Sequence, residues 1–336
     1  MGEIVTQYSR HREGINKYIE ARHSRRQLFR EYREKWDSNE DSLLFLLLET
    51  TSRCNLTCPM CIHSVGYDHV PPMDHKMFDL ALKNIEEMRI PSVSVNTTNE
   101  PLLDKGIFER IHLLSQLAHV VDIFMNTNAV LLTRQHASQL LESELTRLLI
   151  GFDAFVPETY ERIRVGAGYQ DVLDNILTFL ELKAKLGKVF PIVRVSLVRI
   201  SQNEDQIGEW FEFWKNKVDQ VCVQEYLTPV LDHSKDDLIP TRTGKRLRFE
   251  YSQITCGQPF ERAVVRGNGD VLPCCAHFGT KMPIGNITQD SLRDIWYGSR
   301  AQELREMFRR NTWNTHPICS GCLRISSGIA ANSISG

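Results

Sequence analysis

Apolar residues along this chain fall into short runs separated by amphipathic stretches, and the alternation is regular. The longest apolar run, residues 43–48, is far too short for a membrane span, so residues 43–49 (Leu-Leu-Phe-Leu-Leu-Leu-Glu) read as a buried strand. Further strands are predicted at 92–95, 120–125, 148–152, 192–198 and 221–225. Segments with helical apolar spacing precede them, at 78–88, 106–118, 132–141, 172–186 and 206–214. Six strands separated by helices predict a parallel sheet built from βα units. Upstream, Tyr18, Ile19, Leu28, Phe29, Tyr32 and Trp36 recur at roughly helical spacing among charges, so residues 1–42 read as a helical extension packed on the outside. Residues 231–255 are largely polar and read as a linker. Beyond them come a short strand at 262–265, a Gly267-Asn268-Gly269-Asp270 turn, a second strand at 271–273 and a helix near 292–308. This texture predicts a smaller module over 256–325, followed by a flexible Ser/Gly/Ala-rich tail at 326–336.

Composition narrows the class. A chain of 336 residues can bury a sizeable core, and 42% hydrophobic with 24% charged residues is ordinary for a folded globular protein. Forty basic residues against 42 acidic ones leave no field for generic binding to nucleic acid or a membrane surface. The N-terminal region lacks the apolar core of a signal peptide, and no run approaches the ~20 residues of a membrane span. A cytoplasmic location is expected.

The nine cysteines change the picture most. Their odd number and two tight clusters argue against a secreted disulfide framework and for metal ligation. Directly after the first strand, Cys54, Cys58 and Cys61 are separated by three and then two residues. Three thiolates on one loop can surround one metal centre but leave it a ligand short, so an iron–sulfur cluster held there keeps one iron open to an amine and a carboxylate. The second group comprises Cys256, Cys274, Cys275, Cys319 and Cys322. Two cysteines flanking a hairpin plus a Cys-x2-Cys pair have the spacing of a four-thiolate centre, for which zinc is the default.

The first loop resembles that of the radical S-adenosylmethionine superfamily, a (β/α)6 partial barrel. That resemblance, over residues 43–230, implies a [4Fe–4S] cluster on Cys54, Cys58 and Cys61. Its open iron would bind S-adenosylmethionine, whose reductive cleavage yields a 5′-deoxyadenosyl radical that takes a hydrogen atom from substrate. It also implies a one-electron reductant such as flavodoxin or ferredoxin. Thr97-Thr98-Asn99-Glu100-Pro101 stands where the family has Gly-Gly-Glu-Pro, which holds the methionyl ammonium, with Asn99 replacing a glycine. Asn126-Thr127-Asn128 resembles the family's Thr-Asn-Gly turn, and Gly151-Phe152-Asp153 its Ser-hydrophobic-Asp strand. Asn99, Glu100, Pro101, Asn128, Asp153 and Arg194 are accordingly the expected cofactor-binding residues, Arg194 as a partner for the cofactor carboxylate.

The distal cysteines resemble a shortened SPASM module, which turns the preference from zinc to one auxiliary [4Fe–4S] cluster on Cys256, Cys274, Cys319 and Cys322. Cys222 and Cys275 then remain as thiols. Either could return a hydrogen atom to a substrate radical and so invert a carbon. Alternatively a base such as Glu225 could take a proton while the auxiliary cluster takes an electron, giving a ketone. The short region before the first strand favours a small polar substrate, a sugar or aminocyclitol, over a peptide. Epimerisation is the first expectation, with dehydrogenation, peptide maturation and a non-catalytic metal scaffold as alternatives.

Overall fold

The computed structural model describes residues 4–5, 42–229, 237–240, 256–275 and 277–327. Its strands are β1 (Ile4–Val5), β2 (Phe45–Leu48), β3 (Ser92–Ser94), β4 (Asp122–Thr127), β5 (Arg147–Gly151), β6 (Ile192–Arg199), β7 (Gln220–Glu225), β8 (Arg262–Val265), β9 (Asp270–Leu272) and β10 (Gly285–Asn286). They form one sheet of ten strands in the order β1-β7-β6-β5-β4-β3-β2-β8-β9-β10. Every pairing from β2 through β7 is parallel. All six predicted core strands are present, and their near-continuous apolar sequences match a sheet buried on both faces.

The connecting helices are α1 (His75–Met88), α2 (Ile107–Ser115), α3 (Arg134–Glu142), α4 (Pro157–Ile163), α5 (Tyr169–Lys185) and α6 (Ile207–Trp214). In α1, Phe78, Ala81, Ile85 and Met88 bury one stripe, and the Asp74 carboxylate caps the first turn by accepting from Met77 N at 2.8 Å. The short helix α4, opened by Pro157, is not announced by any long apolar period.

Beyond the barrel lie α7 (Gln258–Glu261), α8 (Leu292–Tyr297), α9 (Ser299–Arg309) and α10 (Pro317–Ser327). Three features differ from the sequence expectations. The hairpin of β8 and β9 continues the barrel sheet, because β8 pairs in parallel with β2 from Phe45↔Arg262 to Leu48↔Val265. The helix expected near 292–308 is two helices, broken at Gly298, whose extended backbone ends α8 and begins α9. Ile4–Val5 is an edge strand antiparallel to β7, within a region expected to be helical, and residues 6–41 lie outside the described residues. So does the linker apart from 237–240, as do tail residues 328–336. No helix among the described residues is long and apolar enough to cross a membrane.

Candidate active site

The chain leaves β2 through buried residues 49–52 and then forms the three-cysteine loop at the carboxyl end of the sheet. Cys61 N donates to Cys58 O at 2.9 Å, and Glu100 N donates to Arg53 O at 3.0 Å, which ties the loop to the β3 connection. The three thiols, none in a disulfide, line one cavity of about 600 Å³ with residues 97–100, 126–128 and 149–151. Burial pushes all three above the usual thiol range, Cys58 to about 11. Thiolates here need a nearby positive charge, and the structure supplies one. Arg164 Nη1 donates to Cys58 Sγ at 3.9 Å, and Asn128 Nδ2 approaches Cys54 Sγ at 3.7 Å.

Glu100 is fully enclosed. Its Oε1 accepts from Thr127 Oγ1 at 2.8 Å and from Leu102 N at 3.1 Å, and its Oε2 accepts from Asn128 N at 2.8 Å. Burial nevertheless pushes its carboxyl up to about 7, because three donors and the charge of Arg164 only partly replace lost water. Pro101 opens the short turn that follows. Asn99 has no left-handed backbone to accommodate. Its Oδ1 accepts from Thr97 N at 3.0 Å, while its buried Nδ2 has no hydrogen-bond partner and belongs to the cavity wall.

One match shifts on inspection of the backbone. The turn after β4 is Thr127-Asn128-Ala129, one residue later than expected, because the left-handed position is Ala129, with φ 59°. Asp153 follows β5 and bridges two elements: Oδ1 accepts from Val198 N at 2.6 Å, and Oδ2 pairs with the Arg164 guanidinium. Gly151 stands where the family has serine, and a Cβ there would collide with that guanidinium. Arg164 was missed by sequence reasoning. It closes α4 eleven residues after Asp153, with no local pattern to mark it, and Gly151 is the one trace it leaves in the sequence.

On β6, Arg194, Ser196 and Val198 alternate into the cavity, and Gln224, Glu225 and Tyr226 approach it at the end of β7. Glu225 accepts from Arg199 Nη2 at 2.6 Å and Nε at 3.1 Å. Cys222 pairs in register with Ser196 and is buried on the same face, and it does not line the cavity.

The distal cysteines gather elsewhere. Cys256 and Cys319 share an apolar cluster with Phe260, Met282 and Trp313, and Cys319 and Cys322 sit one turn apart on α10. Burial, then the proximity of Cys256, pushes Cys319 up to about 12 and Cys322 up to about 11. Cys275 accepts from Arg262 Nη1 at 3.4 Å and donates to Gln258 Oε1 at 3.2 Å. It lies in electrostatic reach of Cys256 and Cys322, while Cys274 is buried, its sulfur 3.1 Å from where a Cβ on Gly279 would stand. Cys275 therefore borders this second site.

Comparison with known proteins agrees with this division. Residues 48–213 match the radical SAM superfamily, and residues 256–323 match an iron–sulfur cluster-binding domain, SPASM. The chain is 32% identical over 253 residues to the GTP 3′,8-cyclase of Listeria monocytogenes, spanning 70% of this chain and 73% of that protein. The GTP 3′,8-cyclase of Listeria welshimeri is 30% identical over 237 residues, spanning 67% and 66%. Among solved structures, BtrN in complex with AdoMet and 2-DOIA superposes with a TM-score of 0.56 at 19% identity, covering 83% of this chain and 92% of that one. Streptococcus suis SuiB bound to S-adenosylmethionine gives a TM-score of 0.64 at 18% identity, covering 83% and 72%. The open parallel sheet is the partial barrel these structures share.

Proposed function

The chain belongs to the radical S-adenosylmethionine superfamily, and on that premise we propose that it takes a hydrogen atom from a small polar substrate held inside the barrel. As an enzyme of this family it uses S-adenosylmethionine and [4Fe–4S] clusters, including an auxiliary one. The residues fit these groups. Three disulfide-free thiols share one wall with a guanidinium, a carboxylate and the orphaned Asn99 Nδ2. In this reading Cys54, Cys58 and Cys61 hold the first cluster, Glu100 and Asn99 receive the cofactor ammonium, and Asn128 and Asp153 shape the wall beside it. Pro101 fixes the turn that presents Glu100. Arg164 joins them as the cation nearest the cluster. Cys256, Cys319, Cys322 and one of the adjacent pair, Cys274 by the family spacing, hold the auxiliary cluster. When bound, these groups supply a 5′-deoxyadenosyl radical and a one-electron acceptor.

The observation that carries the reading is the cavity itself: about 600 Å³, with the three thiols at its wall and polar side chains of β6 and β7 within it. Its size suits a small molecule together with the cofactor. Among the described residues the walls offer no thiol outside the cluster loop, so we favour net oxidation, with Glu225 taking the proton, held at the rim by Arg199. Inversion through a thiol is the second reading, favoured by the inward register of Cys222 beside Ser196. Anaerobic turnover in deuterated water separates them. Oxidation removes two mass units, whereas inversion leaves the mass unchanged apart from one deuterium at the inverted carbon. The proposal fails if the reconstituted protein does not cleave S-adenosylmethionine.

A further inference from the structure

Arg110, Arg147, Arg164 and Arg266 are all largely removed from water, and each meets a carboxylate: Asp104, Asp122, Asp153 and Glu49. Arg194 differs from these four. It lines the cavity, its Nε is buried without a hydrogen-bond partner, and no Asp or Glu among the described residues pairs with it. Two residues along the same strand face, Ser196 is more than nine-tenths buried, and its Oγ also has no partner. A partly buried guanidinium whose Nε is shut off from water without a partner carries a cost, and a hydroxyl left orphaned beside it adds to that cost. Both costs vanish when an anion occupies the space.

Building on the function proposed above, we infer that Arg194 and Ser196 form the receptor for an anionic group of the substrate, a phosphoryl or carboxylate. The competing anion is the cofactor's own carboxylate, which must reach an iron held by Cys54, Cys58 and Cys61. Arg164 already stands 3.9 Å from Cys58. Arg194 has different electrostatic neighbours, Cys222 on β7 and Arg147 at the start of β5. Its register partner Gln220 opens β7, which likewise places it toward the amino end of that strand pair. The cavity is thus bipolar: the cofactor's carboxylate meets Arg164 beside the thiols, and the substrate's anion meets Arg194 at the far end. A planar guanidinium with Nε free is suited to a bidentate grip on such a group. An unmodified aminocyclitol would set its ammonium against this cation, so the substrate class moves from neutral or cationic polyols to phosphorylated or carboxylated small molecules.

The test is calorimetric titration of the reconstituted, S-adenosylmethionine-loaded protein with inorganic pyrophosphate and, separately, malonate. At least one of these anions is expected to bind saturably, which also tells phosphoryl from carboxylate preference. Arg194→Gln should weaken that binding tenfold or more, Arg194→Lys should retain most of it, and cofactor affinity should stay within twofold in both. Unchanged anion binding in Arg194→Gln, no binding of either anion to the parent protein, or a tenfold loss of cofactor affinity in Arg194→Gln would each overturn the inference. Failure of the underlying function shows separately, as absence of cofactor cleavage by the parent protein.

Discussion

At the scale of single residues, Glu100 holds the most consequential balance in the molecule. Three hydrogen-bond donors favour its ionised form, burial favours the protonated form, and burial prevails enough to bring the carboxyl up to about 7. An ammonium binds the carboxylate and not the acid. In the role proposed for Glu100, the proton must therefore leave below pH 7 before the cofactor's amine is held, and above it no such cost remains. Affinity for S-adenosylmethionine is expected to rise with pH through about 7, losing roughly tenfold per unit below it. Equilibrium binding measured between about pH 5.5 and 8 checks this. Glu100→Gln, which has no proton to lose there, should flatten the profile and lower its plateau. Glu100 and Pro101 were legible from the motif. The conflict around Glu100 was not, because two of its three donors arrive from Thr127 and Asn128, on the next strand and its turn.

At the scale of elements, the joint between β2 and β8 connects the barrel to the auxiliary-cluster region. The parallel register Leu48↔Val265 sets Glu49 opposite Arg266. Arg266 Nε donates to Glu49 Oε2 at 2.7 Å, and the Tyr67 hydroxyl donates to Oε1 at 2.6 Å. Both charged side chains are almost wholly buried. Removing one partner strands the other charge, so Arg266→Met is expected to cost about 3–5 kcal/mol in denaturant unfolding of the cluster-loaded protein. The double variant Glu49→Gln with Arg266→Met should cost clearly less than the two single losses summed, and simple additivity would mean the pair is not coupled. The strands themselves were readable as apolar runs of the right length. Their joining into one continuous sheet was not, since a hairpin turn such as Gly267-Asn268-Gly269-Asp270 specifies its own two strands and carries no signal about a third. The break at Gly298 was equally hidden, because apolar spacing runs on through α8 and α9.

At the scale of the whole molecule, two cysteine groups lie in separate surroundings, and their contents should be separable. Reconstituted protein is expected to hold about eight irons, as two four-iron clusters require. Cys319→Ser should reduce this to about four while sparing the thiols of the first loop, and Cys54→Ser should abolish cofactor cleavage while the auxiliary irons remain. Iron analysis with electron paramagnetic resonance reads both outcomes. Equal loss from both sites in either variant would show that the two centres assemble as one unit.

The sequence by itself determined what depends on near neighbours along the chain: the alternation of strands and helices, the three-thiol loop, the Cys-x2-Cys pair and the Glu-Pro step. Such signals survive in one dimension because the residues that make them are a few positions apart, within one turn or one strand. Tertiary structure decided what depends on distant residues meeting. Arg164 reaches Cys58 across 106 positions, and Arg266 reaches Glu49 across 217. Arg194 shows the same limit from the other side. That no carboxylate among the described residues pairs with it is a property of everything around it, and no stretch of sequence can display such a property of three dimensions.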